Sequence, residues 1–282
     1  MHINIRGADP MEFKNRELIQ ILILAEVCRE LGSSLIFQGG TAIRVFLGGT
    51  RTSEDLDFYM ATQALPKLDK TVERIANAIT QDLCYLERLS LDSCKVRQQG
   101  RLYTLWLSFT QGDRRKRTRL KTEFFEVADH FQKIRSQATL LTTAPLIRRE
   151  ISAFTMFLDR LNVVVQMETP EGILADKVVA ILARSYVKGR DLWDLWFLTK
   201  VFGLSPSKGE IELRREIYGA QEWKRSPTKG GEGWPSKKEL IELLDRDLQR
   251  FLAHKELESL REEGYERILK SVEDTLKMLE AI

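Results

Sequence analysis

The stretch SSLIFQGGTAIRVFLGGTRTSEDLDFYM, residues 33–60, decides the fold. Ser33 to Gln38 is a short apolar run bounded by glycines, which suits a buried strand better than a helix. Gly39-Gly40-Thr41 follows directly, Ala42 to Leu47 reads as a short helix, and Gly48-Gly49-Thr50 as a loop. Ser53 to Tyr59 then alternates polar and apolar side chains with period two. Asp55 and Asp57 therefore share one face of a half-buried strand, while Leu56 and Phe58 point into the opposite layer. Strand, glycine turn, helix and acidic strand in this order imply a mixed α/β layer.

On the N-terminal side, Leu18, Ile21, Leu22, Ala25 and Leu31 repeat at helical spacing over residues 11–31 and stop at Gly32, a residue type common just past a helix end. On the C-terminal side, Leu68, Val72, Ile75, Ile79 and Leu83 form one apolar stripe, so a second long helix is expected to cover the sheet. Residues 102–109 and 119–127 read as two strands joined through Gln111-Gly112-Asp113, and 161–167 as a further strand. Thr169-Pro170-Glu171 combines a capping residue, a proline suited to the first turn and a favoured acid, so a helix starts there. From that point the strong patterns are helical, ending in Tyr265, Ile268, Leu269, Val272, Leu276 and Leu279; residues 221–235 form a Pro/Gly-rich loop. The expected fold class is α+β: a mixed sheet flanked by helices over 1–168, followed by a helical domain over 169–282.

The composition narrows the function classes. The chain has 282 residues, 43% hydrophobic and 30% charged, with a formal charge of only +3, so wholesale disorder and a polycationic coat are both excluded. Cys28, Cys84 and Cys94 show no CxxC spacing, and His2, His130 and His254 share no ligand spacing, which argues against a disulfide framework and a Cys- or His-built metal centre. A reducing compartment fits this usage. MHINIRGADP has no apolar signal core and no stretch is long enough to span a membrane, so the expected location is cytoplasmic.

Three short motifs carry chemistry. Asp55 and Asp57 present two carboxylates on one face, a hard-oxygen pair of the kind Mg2+ or Mn2+ accepts when it bridges protein to substrate phosphates. Taken alone, such a pair is simply a solvated strand face. Gly39, Gly40 and Thr41 sit between a buried strand and a helix start, where backbone N–H groups can approach a phosphate and Thr41 can donate its hydroxyl; taken alone this is a tight turn. Its spacing fits neither GxGxxG nor a P-loop. In Lys121-Thr122-Glu123 the alternation puts Lys121 and Glu123 on one face, and Glu123 is the candidate third acid of a site that could hold two cations.

GGT, then RTSEDLDF, then KTEF resembles the polymerase-β-type nucleotidyltransferase superfamily. With GILADKVVAILAR and KGRDLWDLWFL downstream, the chain is similar to the AbiEii/AbiGii toxin nucleotidyltransferases, over about residues 35–200. The resemblance implies a nucleotidyltransferase-like N-terminal domain and a toxin of a toxin–antitoxin or abortive-infection system. It implies an enzyme that uses an NTP and Mg2+ or Mn2+ and adds nucleotides to an acceptor hydroxyl, with tRNA the expected acceptor and a cognate antitoxin the expected partner. On it, Gly39, Gly40 and Thr41 match the phosphate turn; Asp55, Asp57 and Glu123 match the metal acids; Lys177 and Asp191 match the basic and acidic positions of the helical motifs. Glu123 replaces an aspartate found in many polymerase-β-type enzymes, a longer side chain that still offers a metal ligand. A small-molecule or protein acceptor, or a non-catalytic nucleotide- or RNA-binding role, stands as the alternative.

The residues agree with these roles on their own terms. Lys177 can reach a triphosphate as a point charge. Asp191 and Asp194 share a helix face with Arg190 beside them, fit either to orient a cation or to form a surface ion-pair cluster. Arg44 and Arg51 are weaker phosphate candidates. Arg114, Arg115, Lys116, Arg117 and Arg119 belong to a basic run, RRKRTRLK, that suits either an RNA backbone or a charged hairpin tip guarding a sheet edge. Trp193 and Trp196 alternate with leucines and read as core. Residues 255–282 carry more acids than bases, which fits an antitoxin or packing surface better than an RNA-facing one.

Overall fold

A computed structural model describes residues 10–83, 89–111, 116–226 and 233–280. The chain runs α1 (Pro10–Leu31), β1 (Leu35–Gln38), α2 (Gly39–Phe46), β2 (Asp55–Met60), α3 (Leu68–Leu83), β3 (Leu89–Gln99), β4 (Leu102–Gln111), β5 (Lys116–Glu126), β6 (Ser136–Leu140), α4 (Pro145–Arg149), α5 (Ile151–Phe154) and β7 (Val164–Glu168). Then follow α6 (Pro170–Ala183), α7 (Gly189–Trp196), α8 (Lys208–Tyr218), α9 (Lys237–Leu248), α10 (His254–Glu262) and α11 (Glu266–Glu280). The fold is α+β, as the sequence implies. The seven strands form one mixed sheet in the order β3-β4-β5-β2-β1-β7-β6.

The chain forms two compact units that interleave along the sequence. The first comprises residues 1–37, 54–126 and 138–166; the second comprises 38–53, 127–137 and 167–282. The crossing at 166/167 lies next to the helix start at Thr169.

In the first unit, β2 and β5 run parallel, which requires a crossover connection; α3 and the β3–β4 pair supply it. The alternation of β2 buries Leu56 and Phe58 and leaves Asp55 and Asp57 half-buried. Phe58 stacks on Phe124 of β5 at 5.5 Å between ring centroids and meets Phe37 of β1 at 5.0 Å. α3 turns Leu68, Val72, Ile75 and Ile79 inward, and α1 packs beside it. From Leu18 to Val27 nearly every residue of α1 is buried, so the helix lies within the core rather than on its surface.

Two strands carry no sequence signal. β3, LSLDSCKVRQQ, pairs antiparallel with β4 through the two-residue turn Gly100-Arg101, where Gly100 adopts φ +57°. From Ser90 onward none of its residues is buried, so it shows no period-two pattern. β6 is a five-residue edge strand with exposed side chains along most of its length. The expected hairpin turn at Gly112-Asp113 lies outside the described residues, as do Arg114, Arg115, Cys84 and His2.

In the second unit, Thr169 caps α6 by accepting a hydrogen bond from the Gly172 amide, with Pro170 in the first turn. α7 continues into a π-helical turn over Phe197–Val201, and Trp193 stacks on Phe197 within the core. Arg214 is fully buried among Glu168, Asp176 and Glu210. Burial and the nearby Asp176 push the Glu168 carboxyl well above the usual carboxylate range. Cys28 and Cys94 are free, and burial raises the Cys28 thiol to about 12, too high for a ready nucleophile. Among the described residues no helix is long and apolar enough to cross a membrane.

Candidate functional site

The acids expected to bind metal meet on neighbouring strands of the first unit. In the β2–β5 register Asp55 lies opposite Lys121 and Asp57 opposite Glu123, so one sheet face carries three carboxylates and one ammonium. Like charges side by side destabilise a sheet, and Lys121 answers this locally. Its Nζ is 3.1 Å from Asp55 Oδ2 and 3.0 Å from Glu123 Oε2. Burial alone would lower the Lys121 pKa, but the Asp55 and Glu123 carboxylates outweigh it and raise it, so the ammonium stays charged.

Asp55 and Asp57 are the residues that would hold one divalent cation, by the chemistry of their donors. The ligands are hard oxygens, they share a face, and the ammonium already seated between Asp55 and Glu123 shows that the carboxylates gather positive charge. It does not form a cage of three acids: among the described residues no group of three or more His, Cys, Asp or Glu is arranged to hold a metal ion.

The glycine turn and the helical motifs belong to the second unit. Gly39 has φ +81°, a left-handed conformation that a side chain resists. Gly40 is required for space: a Cβ there would collide with Arg51 Nη2 and lie 3.2 Å from Ser53 Oγ. Thr41 is buried in the first turn of α2. Buried Arg44 donates to the carbonyls of Gly49 and Thr50 at 3.2 and 3.3 Å, holding the second glycine pair rather than facing solvent.

Arg51 does not project as a mobile phosphate ligand. Its Nε and Nη2 donate to Asp194 Oδ1 and Oδ2, both at 2.9 Å, and its Nη1 donates to the Thr52 carbonyl at 2.8 Å. The two side chains are 2% and 0% exposed, with the guanidinium 5.8 Å from the Trp193 ring centroid and 5.7 Å from that of Phe251. Lys177 on α6 reaches Asp191 Oδ1 at 2.9 Å and Asp194 Oδ2 at 2.7 Å on α7, and Arg184 reaches Asp191 Oδ2 at 2.7 Å. Burial would raise the Asp191 pKa, yet Lys177 and Arg184 hold it far below the usual carboxylate range; burial would lower that of Lys177, yet Asp191 and Asp194 raise it. The result is one continuous chain of charge, Arg51, Asp194, Lys177, Asp191, Arg184, whose first member lies against Gly40.

Most of this chain is drawn from residues the sequence singles out, but two links are not. Arg184 as a partner of Asp191 has no motif signal beyond its place at the end of GILADKVVAILAR. The Arg51–Asp194 pair joins positions 143 residues apart, which no local spacing reveals. Of the basic run, Arg119 is exposed on β5 and its carbonyl accepts from Arg16 Nη2 at 3.4 Å, while Lys116 and Arg117 open the same strand.

A family model described as the nucleotidyl transferase AbiEii toxin of type IV toxin–antitoxin systems matches residues 22–278. Two solved structures from Helicobacter pylori share the fold over nearly the full length of both chains. JHP933 has 15% identity and a TM-score of 0.55, covering 98% of this chain and 97% of its own. A structure described as a nucleotidyltransferase has 17% identity and a TM-score of 0.52, with 96% and 98% covered. The nucleotidyltransferase toxin MenT4 of Mycobacterium tuberculosis H37Rv is a looser match, at 14% identity, a TM-score of 0.47, and 94% and 92% coverage. No curated protein matches by sequence.

Proposed function

This chain belongs to the AbiEii nucleotidyltransferase toxin family of type IV toxin–antitoxin systems, and we propose that it is a metal-dependent enzyme moving a nucleoside monophosphate from an NTP to a hydroxyl of tRNA. Family membership implies the NTP substrate and an antitoxin partner. In the proposed reaction the acceptor oxygen attacks the α-phosphorus, the bond to the α,β-bridging oxygen breaks, pyrophosphate leaves, and the acceptor hydroxyl gives up its proton to solvent water. The observation that carries the reading is the β2–β5 register, which sets Asp57 beside Glu123 and Asp55 beside Lys121 on one face.

In this reading Asp55 and Asp57 hold Mg2+ or Mn2+, which when bound neutralises phosphate charge and aligns the α-phosphate. Glu123 lies on the acceptor side. The Gly39–Thr41 turn offers backbone N–H groups to the triphosphate, and Lys177 answers the charge that builds toward pyrophosphate. Asp191 and Asp194 are positioning residues for Lys177, and Arg51 is one for the turn, because it packs on Gly40 while bonded to Asp194. The basic run from Arg114 to Arg119 supports an RNA acceptor.

The test is incubation of the pure protein with each labelled NTP, Mg2+ and total RNA. Label on tRNA, lost in both Asp57→Ala and Lys177→Ala while each variant keeps its circular dichroism spectrum, is the expected result. Label on protein or on a small molecule would replace the acceptor, and wild-type incorporation by either variant would remove the proposed roles.

A further inference from the structure

We propose that Lys121 is a built-in second cation, so that the reaction centre takes one divalent ion where its three acids would otherwise take two. The inference rests on the metal-dependent transfer proposed above. A two-ion site needs a third carboxylate to help hold the second ion, and Glu123 stands at the right register for that task, opposite Asp57. The space between Asp55 and Glu123, however, is bridged by an ammonium at 3.1 and 3.0 Å.

The placement follows from the strand itself. Lys121 and Glu123 are two apart on β5 and must share a face, and parallel pairing brings that face to Asp55 and Asp57. Their neighbours across β4 are uncharged: Trp106 lies opposite Lys121 and Thr104 opposite Glu123. The cation held by Asp55 and Glu123 is therefore supplied by the chain. A lysine carries one fixed charge on a flexible stem with no coordination geometry to satisfy, and it needs no second ion from solution. A divalent ion entering between Asp55 and Glu123 would have to expel it.

The experiment counts Mn2+ bound to the full-length protein with a non-hydrolysable NTP analogue at saturation, by the loss of the free-ion electron paramagnetic resonance signal. Wild type is expected to bind one Mn2+ per chain and Lys121→Met two, while Lys121→Arg, which keeps the charge, stays at one. Because Lys121→Met removes the ammonium from Asp55 and Glu123 and its folding is at risk, Lys121→Met with Glu123→Gln serves as the second variant and is expected to return to one. Two ions in wild type, or one in a folded Lys121→Met, would overturn the inference; with tRNA labelling intact, the proposed transfer would stand. No bound ion together with no transfer would remove both.

Discussion

Gly40 shows how a residue with no side chain can organise several that have one. A methyl group there would meet the Arg51 guanidinium, which is the far end of a flexible side chain and would ordinarily move aside. Here it cannot move cheaply, because two bonds to Asp194 and one to the Thr52 carbonyl fix it between Trp193 and Phe251. Gly40→Ala should therefore strike the Arg51–Asp194 pair. Its cost should approach that of breaking a buried ion pair, about 3–5 kcal/mol. In a chemical denaturation series the midpoint should fall without a change in slope, and adding Arg51→Ala should cost less in the Gly40→Ala background than in wild type, since the two changes disrupt the same ion pair. Full additivity would mean that the close approach is incidental.

At the scale of elements, α6 and α7 are joined by charge as well as by packing. Lys177 of α6 is held by Asp191 and Asp194 of α7, with Arg184 closing the set. Asp191 is held below its ordinary range, so its contribution to stability is present above about pH 4, the unfolded carboxylate value, and falls away as the solution becomes more acid. Lys177 is raised, so its contribution is present below about pH 10 and is lost at higher pH. The pair should thus stabilise evenly across the neutral range. Asp191→Asn should lose about 3–5 kcal/mol at pH 7, and its deficit against wild type should shrink as pH is lowered below about 4. Thermal melts of both proteins between pH 2 and pH 7 check this; a constant deficit would show that Asp191 contributes by shape and not by charge.

At the scale of the molecule, the net charge of +3 is too small to draw RNA by itself, so any RNA grip must come from local clusters such as Arg114 to Arg119. Binding of tRNA should then weaken steeply with salt, and exchanging Arg114, Arg115 and Arg119 for glutamine should reduce the slope of log affinity against log salt by about 0.7–0.9 for each phosphate no longer neutralised. NTP binding by the same variant should not change. Fluorescence titration at several salt concentrations reads both, and an unaltered slope would assign the run to protection of the hairpin end.

The sequence by itself determined the elements and the faces of this protein, because those depend on spacing within a few residues. Period two put Asp55 with Asp57 and Lys121 with Glu123; period 3.6 put Asp191 with Asp194; Thr169-Pro170 marked the start of α6. It was silent on β3, whose two faces are both accessible, and on β6, which is too short and too exposed to show a pattern. Only the tertiary structure decided which faces meet. The parallel register that seats Lys121 between Asp55 and Glu123, and the burial of Arg51 against Asp194, follow from how distant strands and helices are brought together. Local periodicity sets where each side chain points and leaves open which charge it will face.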